Sequence, residues 1–599
     1  MPHIKFETSL IMNHELPPEI LESTLPLLSI EDLKSLSQTN KYYHKLLDIQ
    51  NSDTVWKEIY HKTFATPQNN DEPFPTKEEN SFTLCSEQII SNLKKFTTWR
   101  ERYLLRAKKT RLYTWGSQKH GRLGYIGSSN PELRSVRDRN QTEGNLPPNY
   151  DPAWLGVSLP TPVPWFSQDS MEDFTITNVT AGGFSFQILT KSGKIFSTGS
   201  SFTGGHRGPG PVDGQQDFDE FGNYVREIER SSHRGYSTSH HGPTPTQIQQ
   251  QTFLLSQNRT ATLRPHLSVG NTEHLDIYEG LQRLQREIEE TVDGNPHIRR
   301  MLPRESLPSL NSASDTVPHV NKERLNSVKF NAVASGRSHF IGLSEMGEVY
   351  IWDNPDFNSG IKMKFDNLPD EKTHPILKID CGWNFSCIYK LDIGLVVWKE
   401  RDALAQGETS SKAHYEVVPF TSDTQGQGKI VDFTCLSDGV VYFIDQDGKH
   451  LHCYKNGLHE EFTTPIEEKF LKITSCHNCI ILFTTNHCFS FSLDGNTILL
   501  NTIRRIDIDD PTDRVISVSD GDYHTIMLTK KGQLYSTGIE SQRCGSLGLG
   551  IYTNQSWGHL EGNNDIRVES PTNIDIGEGN VCLAIAAGGW QSAALIVKS

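Results

Sequence analysis

From residue 111 onward the chain repeats itself, and that repeat limits the fold more than any other feature. The repeating unit is a short strand, a small or glycine turn, a second strand, a turn and a third strand. It is clearest in VISVSDGDYHTIMLTKKGQLYSTG, residues 515–538. It recurs at 177–199, 330–353 and 376–399, with weaker copies at 430–454 and 470–492. A last copy, CLAIAAGGWQSAALIVKS (582–599), stops before its third strand. The turn positions are Gly182, Gly336, Gly382, Leu436, Cys476, Gly521 and Gly588. All but the first and last of their spacings lie between 40 and 54 residues, the size of a propeller blade. Each unit alternates apolar and polar residues, as strands do.

The two ends of this region complement each other. KKTRLYTWG (108–116) is a third strand with no turn before it, and it matches KKGQLYSTG (530–538) nearly position for position. The spacing therefore predicts that this strand completes the unit begun at the C-terminus, closes a ring and removes two sheet edges. The expected fold class is multidomain: a small all-α bundle plus an all-β seven-bladed propeller over 111–599, with a largely disordered insertion at 204–326. The first spacing, 154 residues, contains that insertion. Residues 204–266 are rich in Gly, Ser, His, Arg and Gln, a composition that does not build a core. Ile277, Leu281, Leu284 and Ile288 form a narrow stripe that suits a helix packed on the propeller flank or on a partner.

Residues 13–64 are helical in pattern, with apolar residues at Leu16, Ile20, Leu21, Leu25, Leu28, Leu33 and Leu36. Pro17 and Pro18 suit a first turn, and Asp32 a helix start. Residues 65–85 read as a flexible link. A linker helix is expected over 86–110, with Phe96, Trp99, Tyr103 and Ala107 on one stripe. Its other face carries Lys94, Lys95, Arg100, Arg102, Arg106, Lys108 and Lys109, a solvated basic face, with nuclear import or phosphate contact as the alternatives.

Residues 15–60 resemble the F-box. The motif residues are Leu16-Pro17, Glu19-Ile20-Leu21, Asp32-Leu33, Leu36-Ser37, Thr39-Asn40-Lys41 and Trp56-Lys57-Glu58. The remainder resembles the regulator-of-chromosome-condensation repeat. Leu112-Tyr113-Thr114-Trp115-Gly116, Gly121-x-Leu123-Gly124 and Gly545-Ser-Leu547-Gly548 carry that likeness. The middle copies depart from it, since Leu436 and Cys476 replace glycine and most Trp-Gly pairs are gone. The combination resembles the fungal SCF-associated factors.

The resemblance implies a non-catalytic substrate-recognition subunit of an SCF ubiquitin ligase. The F-box would bind the adaptor, and through it the cullin, using Leu16, Pro17, Ile20, Leu21, Leu28, Leu33 and Leu36. The physical reason is that a bundle this small leaves apolar residues for a partner to cover. The propeller would bind a protein substrate for proteasomal degradation. The variable turn residues Phe184, Arg337, Trp383, Asn384, Tyr523 and Trp590 are the expected contacts, because loops vary freely on a rigid scaffold. A nucleotide-exchange factor and a non-ligase scaffold are the competing readings. Neither uses both halves of the chain.

Other chemistry is not expected. Cys476-x-x-Cys479 with His477 and Cys488 lacks a second ligand pair, and Cys381 and Cys387 sit alike on strands. His339 and His524 hold one repeated position, which points to a repeated structural hydrogen bond. No cofactor, metal or catalytic residue is expected. The net charge of −15 repels nucleic acid and anionic membrane in bulk, and there is no run of about 18 apolar residues. Ten cysteines without a secretory pattern suit a reducing compartment, the cytoplasm with the nucleus as alternative.

Overall fold

A computed structural model describes residues 30–39, 41–47, 53–64, 89–93, 98–125, 156–163, 175–199, 298–306 and most of 328–598. The fold is mostly β. Among the described residues, the strands pair into seven antiparallel units, each built around one of the predicted turns. The first unit is 176–181, 186–190, 195–198 and 298–303. The second runs from Phe330 to Lys364, the third from Ile376 to Val417 and the fourth from Asp432 to Phe462. The fifth spans Phe470 to Arg505 and the sixth Val515 to Ile574. The seventh joins 580–588 and 591–598 to 110–116 and 157–162.

That last pairing is the predicted closing strand. Thr110–Gly116 runs antiparallel to Gln591–Lys598, from Thr110 opposite Val597 to Gly116 opposite Gln591. Except between the fifth and sixth units, the first strands of neighbouring units pack on one another, and the seventh unit's packs on the first's, so the series returns to its start. The fifth and sixth units meet through a cluster of Cys476, Ile481, Phe483, Val515, Val518 and Met527. Trp115 is fully buried, and its indole donates to Ser546 O of the sixth unit at 3.0 Å. Gly548 packs against that ring, where an added Cβ would lie 2.7 Å from the indole nitrogen. The Trp-Gly and Gly-x-Leu-Gly motifs are thus two halves of one staple between neighbouring units.

Two expectations on the β region need correcting. The unit has four strands rather than three, because an outer strand such as Leu458–Phe462, exposed or half-exposed at every residue, carries little of the apolar alternation that marks a strand. One of them, Ile298–Pro303, lies inside the expected insertion 204–326 and pairs with Ile195–Thr198. It also runs parallel to 359–364, which in turn runs parallel to 410–417, so the first three units share an outer seam. Beyond a short 3-10 turn at Arg304–Ser306, the rest of the insertion, including the Ile277–Ile288 stripe, lies outside the described residues.

The described helices are α1 (Ile30–Ser37), α2 (Lys41–Leu47), α3 (Asp53–Phe64) and α4 (Trp99–Lys108). The linker helix is shorter than the expected 86–110. A separate helical turn covers 89–92, and α4 starts after Thr98. Thr98 and Glu101 form a capping box there, and Asp53 accepts from Trp99 N at 2.6 Å. Leu33, Leu47, Val55, Trp56, Ile59, Tyr60 and Phe64 form a core with Tyr103 of α4. Trp99 and Ala107 of the predicted stripe pack against it, and its fourth residue, Phe96, lies outside the described residues.

Arg106 is not on a solvated face. It is buried, its guanidinium stands 4.6 Å from the Phe64 ring centroid, and it donates to Ile176 O at 2.8 Å. Lys191 Nζ donates to the Tyr103 hydroxyl at 2.9 Å. Ile89 and Ile90 are buried in the β core, and Asn92 donates to Lys530 O. A helix that runs into the closing strand brings its own side chains against the sheet ends, so helical periodicity alone misjudges which face is wet.

The closing strand yields a direct test. A truncation starting at residue 110 keeps the strand, and one starting at residue 117 removes it. The second should melt at a clearly lower temperature, because it opens the ring and exposes two sheet edges. Equal melting midpoints in differential scanning calorimetry would refute the closure argument.

Candidate functional site

The turns gather at one end of the ring through backbone hydrogen bonds between units. Gly183 N donates to Arg337 O (2.8 Å), Arg337 N to Trp383 O (3.2 Å) and Trp383 N to Leu436 O (2.6 Å). Asp522 N donates to Gly589 O at 2.7 Å. Within a turn, the third residue after the glycine folds its side chain back over it. An added Cβ on Gly336 would stand 2.3 Å from the His339 ring, and one on Gly521 would stand 2.1 Å from that of His524. The glycine is required because a ring occupies the space.

Those rings reach into the next unit. His524 Nε2 lies 2.8 Å from Ser592 Oγ, and His339 Nε2 lies 3.2 Å from both Ser386 Oγ and Phe385 O. Gln591 holds the same position in the seventh unit and donates to Gly182 O at 3.0 Å. The repeated histidine is therefore a repeated structural bond. Burial pushes both imidazoles down to about 4.

Outside these buried contacts lies the rim. Arg337 holds its centre, half-buried, 3.7 Å over the Trp383 ring and 5.4 Å from that of Phe184. Arg122 also stands by Phe184, 5.3 Å from the ring, buried and donating to Gln591 Oε1 at 3.1 Å. Lys119 Nζ lies 5.6 Å from the Trp590 ring. Asp522 approaches Arg337 at 3.9 Å, and Tyr523 beside it is 53% exposed. Trp383 is 39% exposed, so these two rings present real surface. Asn384 exchanges hydrogen bonds with Asp438, donating at 3.0 Å and accepting from its backbone at 2.9 Å.

The structure thus brings Phe184, Arg337 and Trp383 into one contact network, with Tyr523 and Trp590 at the same end. Sequence reasoning missed Lys119, Arg122 and Asp522. The signal was present in KHGR (119–122), whose basic residues directly follow the closing Trp-Gly and so had to fall beside the turns.

The opposite end of the ring carries the helices. Thr175, Ile176 and Lys191 lie where first strands begin and second strands end, and all three meet α4. Strands of six or seven residues separate the two ends by about 20 Å. Of the expected adaptor contacts, Leu33 is fully buried in the helical core and Leu36 packs partly buried against it. Leu16, Pro17, Ile20, Leu21 and Leu28 lie outside the described residues.

Cys381, Cys387, Cys476, Cys479 and Cys488 are free thiols. Burial pushes Cys381 and Cys488 up, away from the reactive thiolate. Among the described residues no group of three or more His, Cys, Asp or Glu is placed to hold a metal.

Taken together, these features define a β-ring protein with a helical unit bonded to one end and a basic, aromatic rim at the other. No protein-family model matches the chain. It is 40% identical over 638 aligned residues to SCF-associated factor 1 of Saccharomyces cerevisiae, covering 97% of this chain and 98% of the relative. It is 27% identical over 290 residues to F-box protein pof9 of Schizosaccharomyces pombe, covering 44% of this chain and 58% of that one. The chain belongs to the family of SCF-associated factor 1. Among solved structures, Prp20p from Saccharomyces cerevisiae is similar at a TM-score of 0.45 and 13% identity, over 84% of this chain and 95% of that one. Human WBSCR16 is similar at 0.44 and 13%, over 82% and 100%.

The buried histidines make stability depend on pH. The fold holds His524 neutral down to about 4, whereas an unfolded histidine takes a proton near 6.5. Stability is therefore full above about pH 6.5 and lost as pH falls toward 4. His524→Gln keeps a hydrogen-bonding side chain without that proton. Between pH 7 and pH 5 the wild type should lose about 2 kcal/mol relative to this variant. Urea titrations at both pH values measure the difference, and parallel losses would refute the assignment.

Proposed function

We propose that this protein is the substrate-recognition subunit of an SCF ubiquitin ligase, with an F-box at 13–64 and a seven-bladed propeller formed by the seven units. The supporting observation is the disposition of its two ends. The helical unit is bonded to one end of the ring through α4, and the rim faces away from it at the other. A receptor needs that separation, because adaptor and substrate must be held at once without competing for surface. The family relationship supports the same reading, since one relative is named an SCF-associated factor and another an F-box protein. The chain supplies no chemistry in this role. It raises the effective concentration of a substrate lysine near activated ubiquitin.

In this reading Leu16, Pro17, Ile20, Leu21 and Leu28 meet the adaptor. Leu33 supports them from the core, and Leu36 stands between. Phe184, Arg337, Trp383, Asn384, Tyr523 and Trp590 meet the substrate.

Two sets of variants should separate cleanly. Replacing Leu16-Pro17 by Ala-Ala should reduce capture of the adaptor and cullin by tenfold or more, because an apolar hot spot is lost. Ubiquitin-remnant mass spectrometry after proteasome inhibition identifies proteins whose modification depends on this chain. Trp383→Ala and Trp590→Ala should each lengthen the half-lives of those proteins several-fold and leave adaptor capture unchanged. Normal adaptor capture by the first variant would disprove the F-box assignment. Normal half-lives with both rim variants would disprove the rim assignment.

A further inference from the structure

We infer that Cys476 and Cys479 form a reversible disulfide, which makes the turn of the fifth unit a redox-modification site for small disulfides such as oxidised glutathione. The inference is independent of what the rim binds.

The hairpin register carries it. Strands Phe470–Ser475 and Cys479–Thr484 run antiparallel with Ser475 opposite Ile480. Cys476 and Cys479 are the next opposed pair, and Cys476 N donates to Cys479 O at 2.8 Å. An opposed antiparallel pair sends both side chains to one face, with Cα atoms about 4.5–5.5 Å apart. That lies within the range of about 4.4–6.8 Å that a disulfide spans. The Cβ atoms of such a pair need to close by about 1 Å, a small shift that keeps the bond reducible. The two thiols are already hydrogen-bonded to each other.

Access sets this pair apart from the other cysteines. Among the described residues eight cysteines are buried and Cys479 is half-buried. Cys387 and Cys435 also share a thiol hydrogen bond, but they are 0% and 4% exposed, out of reach of an oxidant. Cys488 lies opposite Phe483, four residues along the strand from Cys479. That separation is about 13 Å along the strand, too far for a disulfide.

The exchange runs in two steps. The Cys479 thiolate attacks one sulfur of oxidised glutathione, forms a mixed disulfide and expels a glutathione thiolate. The proton of Cys476 passes to that thiolate. Cys476 Sγ then attacks Cys479 Sγ, breaks the mixed bond and expels the second glutathione, which takes a proton from water. The two protein thiols have lost two electrons, and the two glutathione sulfurs have gained them. Cys476 acts second because its hydrogen bond with Cys479, then burial, pushes its thiol up. Held beside Cys479, it still resolves the mixed disulfide, since that step is intramolecular.

Differential alkylation of the full chain tests this, in a Cys85→Ser background because Cys85 lies outside the described residues. The native protein is incubated in glutathione buffers of rising oxidised fraction. Free thiols are then blocked with iodoacetamide in urea, and the disulfides are reduced and labelled with N-ethylmaleimide. Mass spectrometry locates each label. N-ethylmaleimide should appear on Cys476 and Cys479 together, about tenfold above any other thiol, and prior dithiothreitol should remove it. Cys476→Ser should leave Cys479 as a glutathione adduct about tenfold more abundant than before that change. Cys476→Val keeps the packing on Val518 and should give the same adduct, so a folding defect of the serine variant does not decide the result. Cys479→Ser should leave Cys476 reduced.

The inference fails if both thiols stay blocked by iodoacetamide in every buffer, or if the label falls on Cys479 with Cys488. It also fails if the chain with both cysteines accumulates the Cys479 adduct and stops there. Equal labelling of Cys387 and Cys435 would show that access does not select the pair, and would overturn it as well.

Discussion

The pairing of Thr110–Gly116 with Gln591–Lys598 is the interaction on which the other features depend. A ring of units has no covalent closure, so its last interface must be held by hydrogen bonds and packing. Here the two ends of the β region share one sheet, and separating them breaks the whole register between the two strands. The strand does a second job. Thr110 caps the end of α4, its hydroxyl donating to Leu105 O at 3.0 Å and to Arg106 O. The helix and the closing strand therefore form one continuous stiff segment. The orientation of the helical unit follows from the register of a β pair, and a flexible linker could not fix it so well.

Rim and interior follow from one turn pattern. The glycine makes room for the folded-back ring, and the ring bonds the next unit. The residues between them are left to face outward. That division explains why His339 and His524 are buried and neutral while Arg337 and Tyr523 are accessible one or two positions away. Where the pattern weakens, at Leu436 and Cys476, the folded-back ring is gone. Apolar packing of Cys476 with Val518 then joins the fifth unit to the sixth.

Much of this was legible in the chain itself. The turn positions, the closing strand and the structural role of the two histidines all rest on local repetition, which survives in sequence because each copy solves the same steric problem. The fourth strand was hidden, since it carries no turn glycine and, as at Leu458–Phe462, can lie open to solvent along its whole length. Ile298–Pro303 was harder still, because it follows a long insertion and pairs across it. Arg106 was misjudged for a related reason. Helical spacing identifies a face, but the neighbour that covers the face comes from Ile176, some seventy residues later. At the rim, the aromatic and Arg residues were found because they sit in the repeat. Lys119 and Arg122 were missed because their loop belongs to the seventh unit, which is split between the chain's two ends.

That split has a mechanical consequence for the proposed receptor. The seventh unit contributes Trp590 to the rim and, through 110–116, anchors α4 at the opposite end. Gly116, with a φ of +108°, passes directly over Trp590 O, where an added Cβ would lie 2.4 Å away. Ser117 N then donates to the same carbonyl at 2.8 Å. One segment thus joins the Trp590 turn of the rim to α4 at the opposite end with no loop between them. A load placed on the rim is carried to the helical unit through strand hydrogen bonds, which resist shear along the strand axis. A receptor built this way holds its substrate at a fixed distance from the ligase and leaves the search for a lysine to the flexibility of the substrate.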